Sequence, residues 1–381
     1  RSSDLTREIK QNFLNITDKN ILGLRTSFIV DDKTIQSQEY DSDGNIKKLV
    51  GFNTENVNTY DLNGSLISTK DTLGQTTEYS SHFAGIPQLI KYADGTTESQ
   101  IIDIYGQTTS KTNKLGNTSL TSYNDFGQVL SQKPTLGLTS FYSYPNHLTT
   151  VMERGSYKET TVNTAYDLHY KILMGKDKFI TNHYDSLGRK IFASNVSSSD
   201  GHVFTYDSLN RLLTDCYSNA PSVCTVHEYL NNNRQKTTFP NGEYKIITKQ
   251  AYGSPDNSKI INIKEDNRET SISRDSLGYV KAVKQGEIVK TYEYDDSYNL
   301  KKYTEPETGV TEFEYDAAGK LEKKKQGSNI TTYKHNDQNN QLVNVKYSDA
   351  SPEEHYTYDK NGNVTQASKG RITWNYQYDE L

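Results

Sequence analysis

The residues most able to do chemistry in this chain are its carboxylates. There are 48 Asp and Glu side chains among 381 residues, and a glycosidase-like site needs only two of them facing one cleft. Their spacing points elsewhere. Asp41, Asp61, Asp185, Asp207, Asp295, Asp316 and Asp359 each follow a Tyr and precede a Gly or Asn: Gly44, Gly64, Gly188, Asn210, Asn299, Gly319 and Gly362. A short carboxylate just inside a turn accepts hydrogen bonds from the turn's backbone N–H groups. Gly or Asn a few residues later suits a backbone that needs positive φ. These residues read as turn structure, with no catalytic role. The eight histidines include no pair at metal-ligand spacing, and Cys-x-x-Cys is absent. No Gly-x-Ser-x-Gly elbow or phosphate-cradling glycine loop occurs. The expectation is therefore no catalytic residue, no cofactor, no metal and no enzyme activity.

Two further groups have chemical potential. Cys216 and Cys224 flank a turn at Ser218 to Ser222 that contains Pro221. A disulfide across a hairpin is expected, with two reduced thiols as the alternative. Trp374, Tyr376 and Tyr378 alternate, as they would on one face of a strand. They are the best candidates for stacking on a sugar ring, with cross-strand packing as the plainer reading.

The elements that would carry these residues follow from composition and period. Hydrophobic residues make up 33% of the chain and mean hydropathy is -0.84, too little for a thick aliphatic core. Yet net charge is only -5 and there are 29 Tyr, which argues against disorder. Tyrosine must supply the buried surface, and its ring and hydroxyl suit a sheet one layer thick. The charge gives no case for nucleic acid, and no apolar run is long enough to span a membrane as a helix.

Glycines fall at 64, 74, 85, 95, 106, 116, 127 and 137. The period is thus about 21 residues with two turns, hence two strands. One kind of turn follows the Tyr-Asp pair; the other precedes a Thr-rich strand, as in Leu73-Gly74-Gln75-Thr76. Leu66, Val129, Leu212, Val280, Leu300, Leu321 and Val364 open return strands. Tyr is expected to end strands and stack on its neighbours across the sheet. Residues 5–13 fit a short helix or a strand. The phase is poorest over 145–178, where Tyr166-Asp167-Leu168-His169 lacks the expected Gly; this reads as diverged repeats or a local insertion within a single array over 1–381.

Tyr184-Asp185-Ser186-Leu187-Gly188-Arg189, Tyr206-Asp207-Ser208-Leu209-Asn210-Arg211 and Tyr315-Asp316-Ala317-Ala318-Gly319-Lys320-Leu321 resemble the YD repeats of the RHS family. The same repeats occur in bacterial polymorphic toxins, in Tc insecticidal toxin components and in teneurins. Ile21-Leu22-Gly23-Leu24-Arg25-Thr26-Ser27 looks like the passage leading into such repeats. The resemblance covers nearly the whole chain. It implies an all-β fold of tandem hairpins in a continuous, curved or spiralling sheet, part of a hollow shell that in the toxins encloses a toxic polypeptide. The self-cleavage segment that ends the toxin shells has no counterpart here, so the chain reads as a fragment with exposed end strands. Its expected partners are flanking parts of a longer chain and an enclosed toxin polypeptide, and its expected location is secreted or at the cell surface. Carbohydrate binding has been linked to these repeats, so a glycan- or receptor-binding module is the alternative.

Overall fold

In a computed structural model, every regular element is a strand, 35 in all among the described residues 9–13, 24–30, 32–51, 54–231, 233–251 and 258–378. The opening stretch forms strand β1 (Ile9–Phe13). Of the expectations above, those for residues 5–8 and 21–23 fall outside the described residues.

The chain divides into two compact units. Unit 1 holds the described residues up to Thr118 together with those from Ile272 to Tyr378; unit 2 holds Ser119–Ala251 and Ser258–Ser271. Within unit 1, β1 to β10 (Thr108–Thr112) form one run, each strand antiparallel to the next. A second run goes from β26 (Val280–Gln285) to β35 (Ile372–Asn375) in the same manner. Unit 2 holds β12 (Val129–Lys133) to β24 (Ser258–Glu265), again in unbroken next-neighbour succession. Residues 145–178 lie wholly inside unit 2, and their strands pair without interruption.

Period-two patterning gives these strands two unlike faces. In β29 (Gly309–Tyr315), Thr311, Phe313 and Tyr315 are shielded, while Val310, Glu312 and Glu314 are exposed. Across β27 (Ile288–Tyr294), β28 (Leu300–Glu305), β29 and β30 (Leu321–Gln326), Glu293 faces Lys302, which faces Glu312, which faces Lys325. Opposite charges placed directly across a sheet favour the register that pairs them. Tyr292, Tyr303 and Phe313 line the other face, with ring centroids 6.4 and 5.8 Å apart. Among the described residues, only Val30, Ile102, Val151 and Val345 are buried apolar side chains. Backbone ladders and aromatic rings therefore replace an aliphatic interior.

Turn chemistry alternates in the second half of the chain. Two-residue loops join Arg154 to Tyr157, Gln285 to Ile288, Gln326 to Asn329 and Lys369 to Ile372. Their first residues, Gly155, Gly286, Gly327 and Gly370, have φ of 58 to 60°, as two-residue hairpin loops require. The Tyr-Asp motif supplies longer loops, as from Tyr294 to Leu300 and from Tyr315 to Leu321. In the first half, the two kinds of turn expected from sequence share one geometry. Asp71 and Asn113 occupy the aspartate position of the Thr-rich type and accept the same pair of amide bonds.

Candidate functional site

The residues singled out by sequence converge on one edge feature, the Tyr-Asp turn. Asp185 shows its construction. Its Oδ1 accepts the amides of Leu187 at 2.9 Å and Arg189 at 3.0 Å, while its Oδ2 takes Arg189 Nε at 2.6 Å. Asp207 repeats this with Leu209, Arg211 and the Arg211 guanidinium. Asp41, Asp61, Asp295 and Asp316 accept amides from the residues two and four positions on. Asp359 bonds both the amide and the side chain of Asn363. Burial pushes the Asp185 carboxyl up, but its bonds to Arg189 and the turn amides outweigh this and hold it below the usual carboxylate range. For Asp207 the Arg211 amide is the main cause of a lowered pKa, and for Asp41 it is the Asn45 side chain. A carboxylate so committed is a poor general acid or base.

The left-handed position falls three residues after the aspartate. Gly44, Gly64, Gly188, Gly319 and Gly362 sit there with φ of 73 to 91°, and Asn210 with φ of 61°. A Cβ on Gly64 would meet nothing within 4 Å, so backbone conformation alone favours glycine. Two expectations need correction. Asn299 does not hold this position; Tyr298 does, at φ 60°. Asn299 lies one residue later, where its amide and side chain both bond Asp295. Tyr166-Asp167 is also out of phase with the motif. Thr164 stands in the aspartate position, its Oγ1 3.3 Å from the amides of Tyr166 and Leu168. Asp167 itself takes the left-handed place at φ 58°.

The tyrosines act chiefly through their hydroxyls, a role that ring stacking did not anticipate. Tyr144, Tyr229, Tyr294 and Tyr315 donate to the carbonyls of Val129, Leu212, Val280 and Leu300 at 2.9 to 3.0 Å. Tyr40, Tyr60, Tyr184, Tyr206 and Tyr358 make the equivalent bond to Arg25, Ile46, His169, Lys190 and Leu342. In each case the acceptor is the residue that opens the strand before the tyrosine's own, so each tyrosine ties its strand back to the start of its neighbour. These acceptors lie 14 to 17 residues before the tyrosine, but that spacing by itself does not single out the carbonyl. Arginine adds a second tie. Arg189 Nη1 reaches Asp207 O at 3.2 Å and Asn210 Oδ1 at 3.1 Å, and its guanidinium lies 5.0 Å from the Tyr206 ring centre. Arg211 sits 4.0 Å from the centre of the Tyr229 ring.

The remaining candidates are placed as follows. Cys216 in β20 (Leu212–Tyr217) faces Cys224 in β21 (Ala220–Asn231), and the two are joined as a disulfide. Trp374 lies in β35, but that strand ends at Asn375, so Tyr376 and Tyr378 are beyond it. All three are exposed, at 46, 44 and 53%. The most perturbed carboxylate is Glu354, which accepts Tyr356 Oη at 2.5 Å, Tyr347 Oη at 2.8 Å and Lys369 Nζ at 2.9 Å. These bonds, that from Tyr356 foremost, lower its pKa to about 2. The Tyr356 hydroxyl is pushed up to about 12 by the same contact. Among the described residues, no group of three or more His, Cys, Asp or Glu is arranged to hold a metal ion.

No family model matches the chain, and no curated protein matches it. Solved structures do. The Tc holotoxin pore of Photorhabdus luminescens aligns with a TM-score of 0.54 at 14% identity, over 95% of this chain and 21% of that one. A TcdB2-TccC3-Cdc42 structure gives 0.52 at 15% identity over 95% and 22%. A TcdB2-TccC3-TEV structure gives 0.53 at 15% identity over 95% and 22%. The chain therefore has the β-hairpin fold of Tc toxin chains and spans about a fifth of their length. At such identities the likeness is one of fold.

Proposed function

We propose that this chain is a stretch of wall in an encapsulating β-shell, part of a secreted or cell-surface toxin-like protein of the YD-repeat kind, and that it carries out no chemistry itself. Its partners would be flanking segments of its own longer chain and an enclosed toxin polypeptide. The observation that carries this reading is the next-neighbour pairing of strands in long antiparallel runs, with almost no buried aliphatic side chain among the described residues. A sheet built in this way separates two sides without filling either. The committed turn aspartates and the fold shared with Tc toxin chains support the same reading. Small-angle scattering of the 381-residue chain should give the distance distribution of a thin, curved wall. The profile of a solid compact particle would overturn the proposal.

Exposure of Trp374, Tyr376 and Tyr378 favours a second reading, a glycan- or receptor-binding surface. Stacking of sugar rings on such side chains would give glycan-array binding that Trp374→Ala abolishes. Binding no greater than background would set this reading aside.

A further inference from the structure

Two strand runs distant in sequence meet within unit 1, and the contact has a regular offset. Lys33 Nζ, at the start of β3 (Lys33–Tyr40), lies 3.5 Å from Tyr298 Oη across 265 residues. Gln75 Nε2 donates to Asp337 O at 2.6 Å across 262 residues. The nearly equal separations mean that the runs advance side by side. A cleft of about 430 Å³ opens between Leu73 on one run and Asp316, Tyr333 and His335 on the other. A backbone ladder joins neighbouring strands inside each run, whereas Lys33 and Gln75 reach across the seam through their side chains.

Tyr298 is the unusual member of this seam. It occupies the left-handed position that glycine takes in most Tyr-Asp turns, and a bulky aromatic residue there is a conformational outlier. What offsets the strain is visible. The Tyr298 ring lies 4.7 Å from Tyr279 and 6.4 Å from Tyr294, and those two are 5.3 Å apart. Lys33 Nζ caps the same ring at 5.0 Å from its centre, a cation–π geometry.

We propose that Tyr298 is a latch that closes this seam: its backbone is held in a strained turn so that its ring, braced by Tyr279 and Tyr294, can receive Lys33 from the other run. Removing the ring would free the seam at its Lys33 end while leaving the Gln75–Asp337 tie and the ladders of both runs intact. Tyr298→Gly is the informative variant, because it restores the residue that the turn geometry favours and so should keep the fold. Tyr298→Asn is a second ring-free variant, since Asn210 and Asn340 adopt the same conformation.

Spin labels at Glu39→Cys and Lys301→Cys, exposed positions on the two runs near the Lys33–Tyr298 contact, report the gap by pulsed dipolar spectroscopy on the full chain, with circular dichroism checking the strand content. The parent should give one narrow distance. Tyr298→Gly and Tyr298→Asn should each add a longer population of at least a fifth of the molecules, whereas Tyr298→Phe, which keeps the ring, should match the parent. The latch is overturned if the ring-free variants keep the parent distribution, or if Tyr298→Phe opens the seam as much as they do.

Discussion

A single tyrosine hydroxyl is the smallest unit of order in this protein. Tyr315 shields its ring on the aromatic face and spends its hydroxyl on the carbonyl of Leu300 at 2.9 Å. Tyr315→Phe keeps the ring and leaves that carbonyl without its side-chain donor, so it should cost about 1 kcal/mol in urea unfolding. Asp359 satisfies the amide and side chain of Asn363 at 2.9 and 3.0 Å. Asp359→Ala should cost about 1–2 kcal/mol, and Asp359→Asn less, because Asn113 and Asn124 perform the same amide capture in their turns. Equal losses for the Ala and Asn variants would contradict the role assigned to the acceptor oxygen.

At the scale of the element, each Tyr-Asp turn brings a β-bulge, with the register shifting at Tyr40, Tyr60, Tyr206, Tyr294, Tyr315 and Tyr358. A bulge bends and twists the strand locally. Two elements invite direct tests. The Cys216–Cys224 disulfide closes a hairpin at a sequence separation of 8. Reducing it should lower stability by about 2–3 kcal/mol on the chain-entropy estimate, and thiol titration of the unreduced protein should find no free thiol. Glu354, at the start of β33 (Glu354–Tyr358), clamps Tyr347 of β32 (Leu342–Tyr347) and Lys369 of β34 (Val364–Lys369). Its pKa is lowered to about 2 in the fold from an ordinary 4.5. The clamp's contribution is therefore fully present above the unfolded value and is lost as pH falls from about 4.5 towards about 2. Urea midpoints of the parent should drop across that window, and those of Glu354→Gln should start lower and drop less.

For the whole molecule, the consequence of next-neighbour pairing is weak cooperativity. Stability in such an array is close to a sum of local terms and interfaces between adjacent units. Urea unfolding followed by tyrosine fluorescence, circular dichroism and hydrogen exchange should give transitions that do not coincide. A single sharp transition seen by all three probes would show that the parts unfold as one.

Much of this was legible in the amino-acid order. Glycine spacing set the period, and alternation of Glu with Phe and Tyr along 311–315 marked a strand with two faces. Turn and strand preferences act over a few residues, so Asp185, Gly188 and Leu212 could be read in isolation. Phase errors arose where different side chains perform the same local task. Thr164 replaces the aspartate beside Asp167, and Tyr298 replaces the glycine beside Asn299. The tertiary structure alone decided which carbonyl each tyrosine meets, where Arg189 lands on the next turn, and that Lys33 reaches Tyr298. Those contacts join different strands or runs, and their partners are fixed by the way the strands stack, which no local preference encodes.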